Sequence, residues 1–251
     1  MFRVVIPARH DSARLPGKVL LPLAGRPMLQ WVCERAHRSG AHQIIVATDD
    51  ARIAAAAAAA GVPAIMTAAT HVSGTDRIAE AAAGLGWGGD DIVVNLQADE
   101  PLMPPALISQ AARLLEQHPH ADVGTLAAPI GSLAELLDPN AVKVVTDTQG
   151  RALYFSRAPI PWDRDGSAAG TQTRITGARR HIGLYSYRVR SLQRLSGLPP
   201  APLENCEKLE QLRALSHGLV VQVADALERP GPDVNTPEDL ERVRALLAQT
   251  E

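Results

Sequence analysis

The chain has 251 residues, with 25 Lys and Arg against 27 Asp and Glu and a formal net charge of −2. A chain of this length buries about three quarters of its unfolded surface, so it needs neither disulfides nor a structural metal to fold. Near-neutral charge excludes a protein held to nucleic acid mainly through phosphate contacts, and 3% aromatic residues are too few for a base-stacking platform.

The longest mostly apolar stretch, residues 53–66, is broken by Gly61 and Pro63 and is shorter than a membrane span. The first residues, Met-Phe-Arg-Val-Val-Ile-Pro, enter a short apolar run with no secretory signal pattern, so the expected location is the cytoplasm, away from membranes. Only Cys33 and Cys206 occur, far apart and without Cys-x-x-Cys spacing. Cys33 falls on an apolar helix face as a buried thiol.

In chain order, Arg3 to Ile6 is predicted as a strand ending at Pro7. Residues 27–38 place Leu29, Val32, Cys33 and Ala36 at helical spacing between Pro27 and Gly40. Ile44 to Ala47 is a second buried strand. Asp50 then opens a helix through the alanine run 54–60, which Gly61 ends. Ile92 to Leu96 is a third strand, nearly free of polar residues, as in a strand buried on both faces of a parallel sheet. Beyond residue 123 the pattern changes. Val142 to Thr146 and Ile182 to Tyr187 read as strands around a segment rich in Pro, Gly and Arg. Leu203 to His217 reads as one helix with Leu209, Leu212 and Leu215 inward, Val220 to Val223 as a strand, and Thr236-Pro237-Glu238-Asp239 as the capped start of a last helix. This alternation predicts one α/β domain with a mostly parallel sheet. Residues 1–122 and 218–251 form its core, and 123–217 a smaller β-rich lobe.

In such sheets ligands sit beyond the carboxyl ends of the strands. The loop after the first strand carries Arg9, Arg14 and Lys18, with Gly17 allowing close backbone approach. It reads as a triphosphate cradle or as a plain basic surface loop. It has neither Walker spacing nor Gly-x-Gly-x-x-Gly, which weakens a dinucleotide reading. Asp99 and Glu100 follow the third strand, as a Mg²⁺ site bridging phosphate oxygens or as an acidic loop capping the next helix. Ser73-Gly74-Thr75-Asp76-Arg77 opens another helix, either holding a base or ribose or simply capped by Thr75 or Asp76. Asp49 and Asp50 are weaker candidates, although Thr48 beside them could touch a nucleotide.

Several motifs then occur in one order. They are Ile-Pro-Ala-Arg, Arg-Leu-Pro-Gly-Lys, Ala-Thr-Asp, Ser-Gly-Thr-Asp-Arg, Asn-Leu-Gln-Ala-Asp-Glu-Pro, Asn-Ala-Val-Lys-Val-Val, Tyr-Phe-Ser-Arg-Ala-Pro-Ile-Pro-Trp-Asp-Arg, Arg-His-Ile-Gly-Leu-Tyr-Ser-Tyr-Arg, Leu-Glu-Gln-Leu-Arg and Asn-Thr-Pro-Glu-Asp-Leu. From residue 3 to about 246 the chain resembles the 3-deoxy-manno-octulosonate (Kdo) cytidylyltransferases, the CMP-Kdo synthetases of Gram-negative bacteria. The resemblance implies a Rossmann-like nucleotidyltransferase fold with a sugar-binding and dimerisation lobe, a homodimer, and CTP and Kdo as substrates. The implied reaction is CTP + Kdo → CMP-Kdo + diphosphate with Mg²⁺, for lipopolysaccharide synthesis. By motif, Arg9, Lys18 and Asp99 would be catalytic, with Ala8, Arg14, Thr48, Ser73, Arg77 and Gln97 at the nucleotide. Arg157, Arg164, His181, Glu210 and Gln211 would face the sugar.

Two motifs depart from the family pattern. Ala98 stands where the family has Gly beside the metal carboxylate, and the late motif Gly-Val-Asp-Thr-Pro-Glu-Asp reads Asp-Val-Asn-Thr-Pro-Glu-Asp here. Asp99 and Asn235 are the expected metal ligands, with Asp233 the alternative to Asn235. A related acidic sugar, amino-Kdo or a sialic acid, is the rival substrate, and a non-catalytic nucleotide-binding regulator the rival class.

Overall fold

In this computed structural model, residues 1–11, 15–168 and 171–248 are described. The first apolar run forms strand β1 (Phe2–Ala8), followed by helix α1 (Met28–Arg38), β2 (Gln43–Thr48) and α2 (Ala51–Ala59). Asp50 caps α2 by accepting from the Arg52 and Ile53 amides, and Gly61 leaves the helix at φ +72°, the left-handed conformation that glycine adopts without penalty. Next come β3 (Ala64–Met66), α3 (Gly74–Gly84), β4 (Ile92–Asn95) and α4 (Pro105–Gln117). The second half supplies β5 (Val123–Pro129), α5 (Leu133–Leu137), β6 (Lys143–Thr146), β7 (Ala152–Ser156) and β8 (Arg179–Arg188). It ends with α6 (Val189–Ser196), α7 (Pro202–Glu207), α8 (Gln211–Ser216), β9 (Val221–Asp225) and α9 (Pro237–Ala248).

Nine strands make one sheet, ordered β9-β5-β8-β4-β1-β2-β3, with β6 pairing to β8 and β7. Strands β3, β2, β1 and β4 are mutually parallel, as are β5 and β9, and β8 lies antiparallel between β4 and β5. Segment 123–217 thus contributes β5 and β8 to the central sheet as well as the β6–β7 hairpin beside it. Alternation along β1 sends Val4 and Ile6 into one core cluster, with Leu29, Leu107 and Val243, and Val5 into the other, with Ile78, Leu192 and Leu212. Helices on both faces bury the sheet, which is why β4 carries almost unbroken apolar sequence. Cys33 is fully buried, and its thiol is pushed up to about 12 by that burial.

The expected helix over Leu203 to His217 is two helices. Lys208 sits between them at φ +54°, and Glu204 of α7 reaches across to bind Arg213 of α8 at 2.6 Å. Leu209 and Leu212 are buried as expected, while Leu215 is half-buried.

Candidate active site

The chain leaves β1 towards β2 and β3, then returns to β4 on the other side of β1. That reversal opens a crevice at the carboxyl ends of β1 and β4, where ligands bind in sheets of this type. Register brings the two strand ends side by side: Val5 pairs with Asn95, and the Leu96 amide donates to the Val5 carbonyl at 3.1 Å. A cavity of about 330 Å³ occupies the crevice, with Ala8, Arg9, Lys18, Ser73, Arg77, Gln97, Asp99 and Asn235 in its wall. Arg14 lies outside the described residues.

Helix α3 aims its N-terminus at this cavity. Ser73 is its cap, its hydroxyl accepting from the Asp76 amide at 3.1 Å, so neither Thr75 nor Asp76 fills that position. The hydroxyl proton of Ser73 stays available to an anion, beside unpaired first-turn amides. Gly74 brings the helix against β1: a Cβ there would stand 3.2 Å from Pro7 Cγ. Arg77, 3% exposed, is fixed by Asp49 at 2.8 Å and by the Thr67 hydroxyl.

At the opposite wall, the Lys18 ammonium donates to Asp99 Oδ2 at 2.6 Å, the Val234 carbonyl at 3.1 Å and Asn235 Oδ1 at 3.3 Å. Three oxygens converge on one point charge. A set of hard oxygen donors with a single carboxylate fits Mg²⁺, which keeps several waters and takes its remaining ligands from phosphates. No group of three His, Cys, Asp or Glu placed to hold a metal ion together occurs among the described residues. Neighbouring acids crowd the same corner. Burial, with Asp99 and Asp233 nearby, pushes the Glu100 carboxyl up to about 8, and burial beside Asp99 also raises Asp233.

A second cavity, about 180 Å³, shares Gly74 and Gln97 with the first. Thr75, Asn95, Tyr185, Tyr187, Glu210 and Gln211 supply its polar groups. Strand β8 delivers the tyrosines, Tyr185 pairing with Asn95 and Tyr187 with Val93, and an irregularity in pairing with β5 between Ile182 and Tyr185 sets their register. Thr75 bonds both the Tyr187 hydroxyl and the Glu210 carboxyl, and Asn95 also bonds Tyr187. Burial raises Glu210 above the usual carboxylate range, with the Thr75 bond opposing it. Sequence reasoning found Glu210 and Gln211 but not their four neighbours. The available signal was Asn95, an amide within a strand otherwise apolar on both faces.

Other expected residues lie elsewhere. Thr48 is fully buried, its hydroxyl accepting from the Asp50 amide at 3.2 Å. Arg157 is held by the carbonyls of Glu207 at 2.7 Å and Pro139 at 2.9 Å, and Arg164 is exposed. Neither arginine lines either cavity. The His181 imidazole is buried against Tyr185 and Phe155, ring centroids 5.2 and 5.0 Å away. Burial, helped by Arg180, lowers its pKa to about 3. Thr125 gives its one hydroxyl proton to a β8 carbonyl, Leu184 at 2.8 Å, so Nε2 of the neutral ring, 2.9 Å away, donates to Thr125. His181 therefore backs Tyr185 as a neutral ring.

Residues 3–224 match the cytidylyltransferase family. The chain belongs to that family. Among relatives of this cytidylyltransferase, the 3-deoxy-manno-octulosonate cytidylyltransferase of Pseudomonas syringae pv. syringae (strain B728a) is 54% identical over 248 residues, covering 98% of each chain. The enzyme of the same name from Nitrosococcus oceani is 53% identical over 253 residues, covering all of this chain and 98% of its own. A solved CMP:2-keto-3-deoxy-manno-octonic acid synthetase complexed with CTP is 42% identical, covers 100% of both chains and superimposes with a TM-score of 0.90. A cytidylyltransferase from Leptospira borgpetersenii, 18% identical with a TM-score of 0.63, covers 98% of this chain and 86% of its own and shares the fold.

Proposed function

We propose that the protein transfers CMP from CTP to the anomeric hydroxyl of Kdo, releasing diphosphate, as a homodimer in the cytoplasm. The convergence of Arg9, Lys18, Asp99 and Asn235 at the switch point of the sheet carries the nucleotide half of this reading. The names of the relatives that match the chain end to end support the sugar half.

The reaction forms a bond between the anomeric oxygen and the α-phosphorus and breaks the one between the α-phosphorus and the bridging oxygen to the β-phosphate. The electron pair leaves with diphosphate, and the hydroxyl proton passes to solvent. Arg9, Lys18 and the α3 N-terminus answer the negative charge of the triphosphate and of the leaving group. To engage the phosphates, Lys18 gives up its bonds to Asp99 and Asn235, whose oxygens would then hold Mg²⁺. When bound, the ion supplies neutralisation of the phosphate oxygens and acidifies a hydroxyl near it. No side chain is assigned as an obligatory base. The second cavity presents hydroxyl, amide and carboxyl groups suited to sugar hydroxyls, and its sharing of Gly74 and Gln97 with the first supports a sugar bound next to the triphosphate. The sugar carboxylate faces the cationic side, Lys18 and Arg9.

Diphosphate release with CTP, Mg²⁺ and a panel of Kdo, amino-Kdo and sialic acid tests this. Release is expected fastest with Kdo. A faster reaction with another sugar would move the substrate assignment, and no release with any would make the protein a nucleotide-binding regulator. Asp99→Asn is expected to lower kcat at saturating Mg²⁺ by roughly a hundredfold or more; near-normal turnover would refute its role.

A further inference from the structure

The Asn235 amide lies between two groups of opposite character. On one side is the Lys18 ammonium, which only donates; on the other is the Asp233 carboxylate, which at neutral charge state or ionised offers acceptor oxygens to it. The amide can satisfy both in one orientation: Oδ1 accepting from Lys18, Nδ2 donating to Asp233 Oδ2. The backbone is tied separately, the Asn235 and Thr236 amides donating to Asp239 Oδ2 at 3.1 and 3.0 Å. The Asp233 carboxylate meets the Asn235 side chain directly.

From this geometry we infer that Asp233 is a positioning residue for the cation site, orienting and polarising Asn235 so that its neutral oxygen serves where a carboxylate could. The inference rests on the cation site proposed above. An amide in contact with a carboxylate becomes a stronger acceptor at its oxygen, and partners of this kind around metal ligands are worth 10- to 100-fold in metal affinity. The pairing makes the two positions depend on one another. An aspartate at 235 would set two carboxylates against each other, whereas an asparagine turns the same contact into a hydrogen bond.

The test is Mn²⁺ binding in the protein–CTP complex without sugar, followed by water-proton relaxation, which reports the ion in the ternary complex without turnover. Asp233→Ala is expected to raise the Mn²⁺ dissociation constant about tenfold or more. Asp233→Asn, which can still accept from Nδ2, should fall between Asp233→Ala and the parent protein. Asn235→Asp added to Asp233→Ala should restore affinity, while the same change with Asp233 retained should not improve it. Rescue by a second substitution distinguishes positioning from misfolding, and an unchanged Tm for Asp233→Ala confirms the fold. Affinity within twofold of the parent in Asp233→Ala, with Asn235→Ala clearly weaker, would overturn the positioning role and leave the cation site standing. No ternary Mn²⁺ binding in the parent protein would instead overturn the cation site itself.

Discussion

His181 shows how little a residue's type says about its work until its neighbours are known. Its motif implied a sugar contact; the imidazole is buried, donates to Thr125 and packs on Tyr185, and the residue also lines a further cavity with Arg180 and Asp233. A pKa of about 3 in the folded protein, against about 6.5 unfolded, means the unfolded chain binds the extra proton between these values. Stability therefore rises with pH across that window and levels off above about 6.5, with a slope approaching roughly 1.4 kcal/mol per pH unit from this group. His181→Gln, which keeps a donor, should flatten the fall in Tm between pH 7 and pH 5; an equally steep fall would contradict the buried neutral ring. Thr48 and Arg157 make the same point. Their residue types suit a nucleotide and a carboxylate, and burial or backbone carbonyls have already claimed them.

Elements were the most legible level, because periodicity and caps are local. The Asp50 cap, the alanine helix, the Gly61 stop and the three apolar strands could all be read from neighbouring residues, and each stands as expected. Two features could not be. Residues 203–217 look like one helix because Lys208 carries no breaking signal; its left-handed turn is set by Glu204 binding Arg213 across the break. Strand β8 lies antiparallel between β4 and β5, which depends on partners far away in the chain, so the cavity formed by Asn95, Tyr185 and Tyr187 had no local signature. The α3 start offers a test of how tightly elements set the site. Gly74→Val would press on Pro7, moving the helix terminus away from β1 at a cost of about 1–3 kcal/mol. A rise of tenfold or more in KM for CTP is expected, with a smaller change in KM for the sugar. Unchanged CTP kinetics would show that this contact does not position the nucleotide site.

For the whole molecule, the net charge of −2 is a sum over opposed regions. Arg9 and Lys18 face one cavity, while Asp99, Glu100 and Asp233 gather at its edge, so neutrality overall is compatible with a strongly charged site. Binding there should stabilise the entire two-faced sheet. CTP at a hundredfold excess over Kd should add about 2.7 kcal/mol and raise Tm by roughly 5–10 °C. Lys18→Met should lose most of that shift while keeping its own unliganded Tm close to the parent's; a full CTP shift in the variant would remove Lys18 from the triphosphate site. A new bond between the CTP α-phosphorus and the anomeric oxygen of Kdo would be seen by ³¹P NMR. The measurement uses CTP, Mg²⁺ and Kdo labelled with ¹³C at the anomeric carbon. The expected result is the loss of the triphosphate signals, the appearance of free diphosphate, and one phosphodiester resonance coupled to the labelled carbon. Diphosphate appearing with CMP and no carbon coupling, or an unchanged triphosphate, would contradict it.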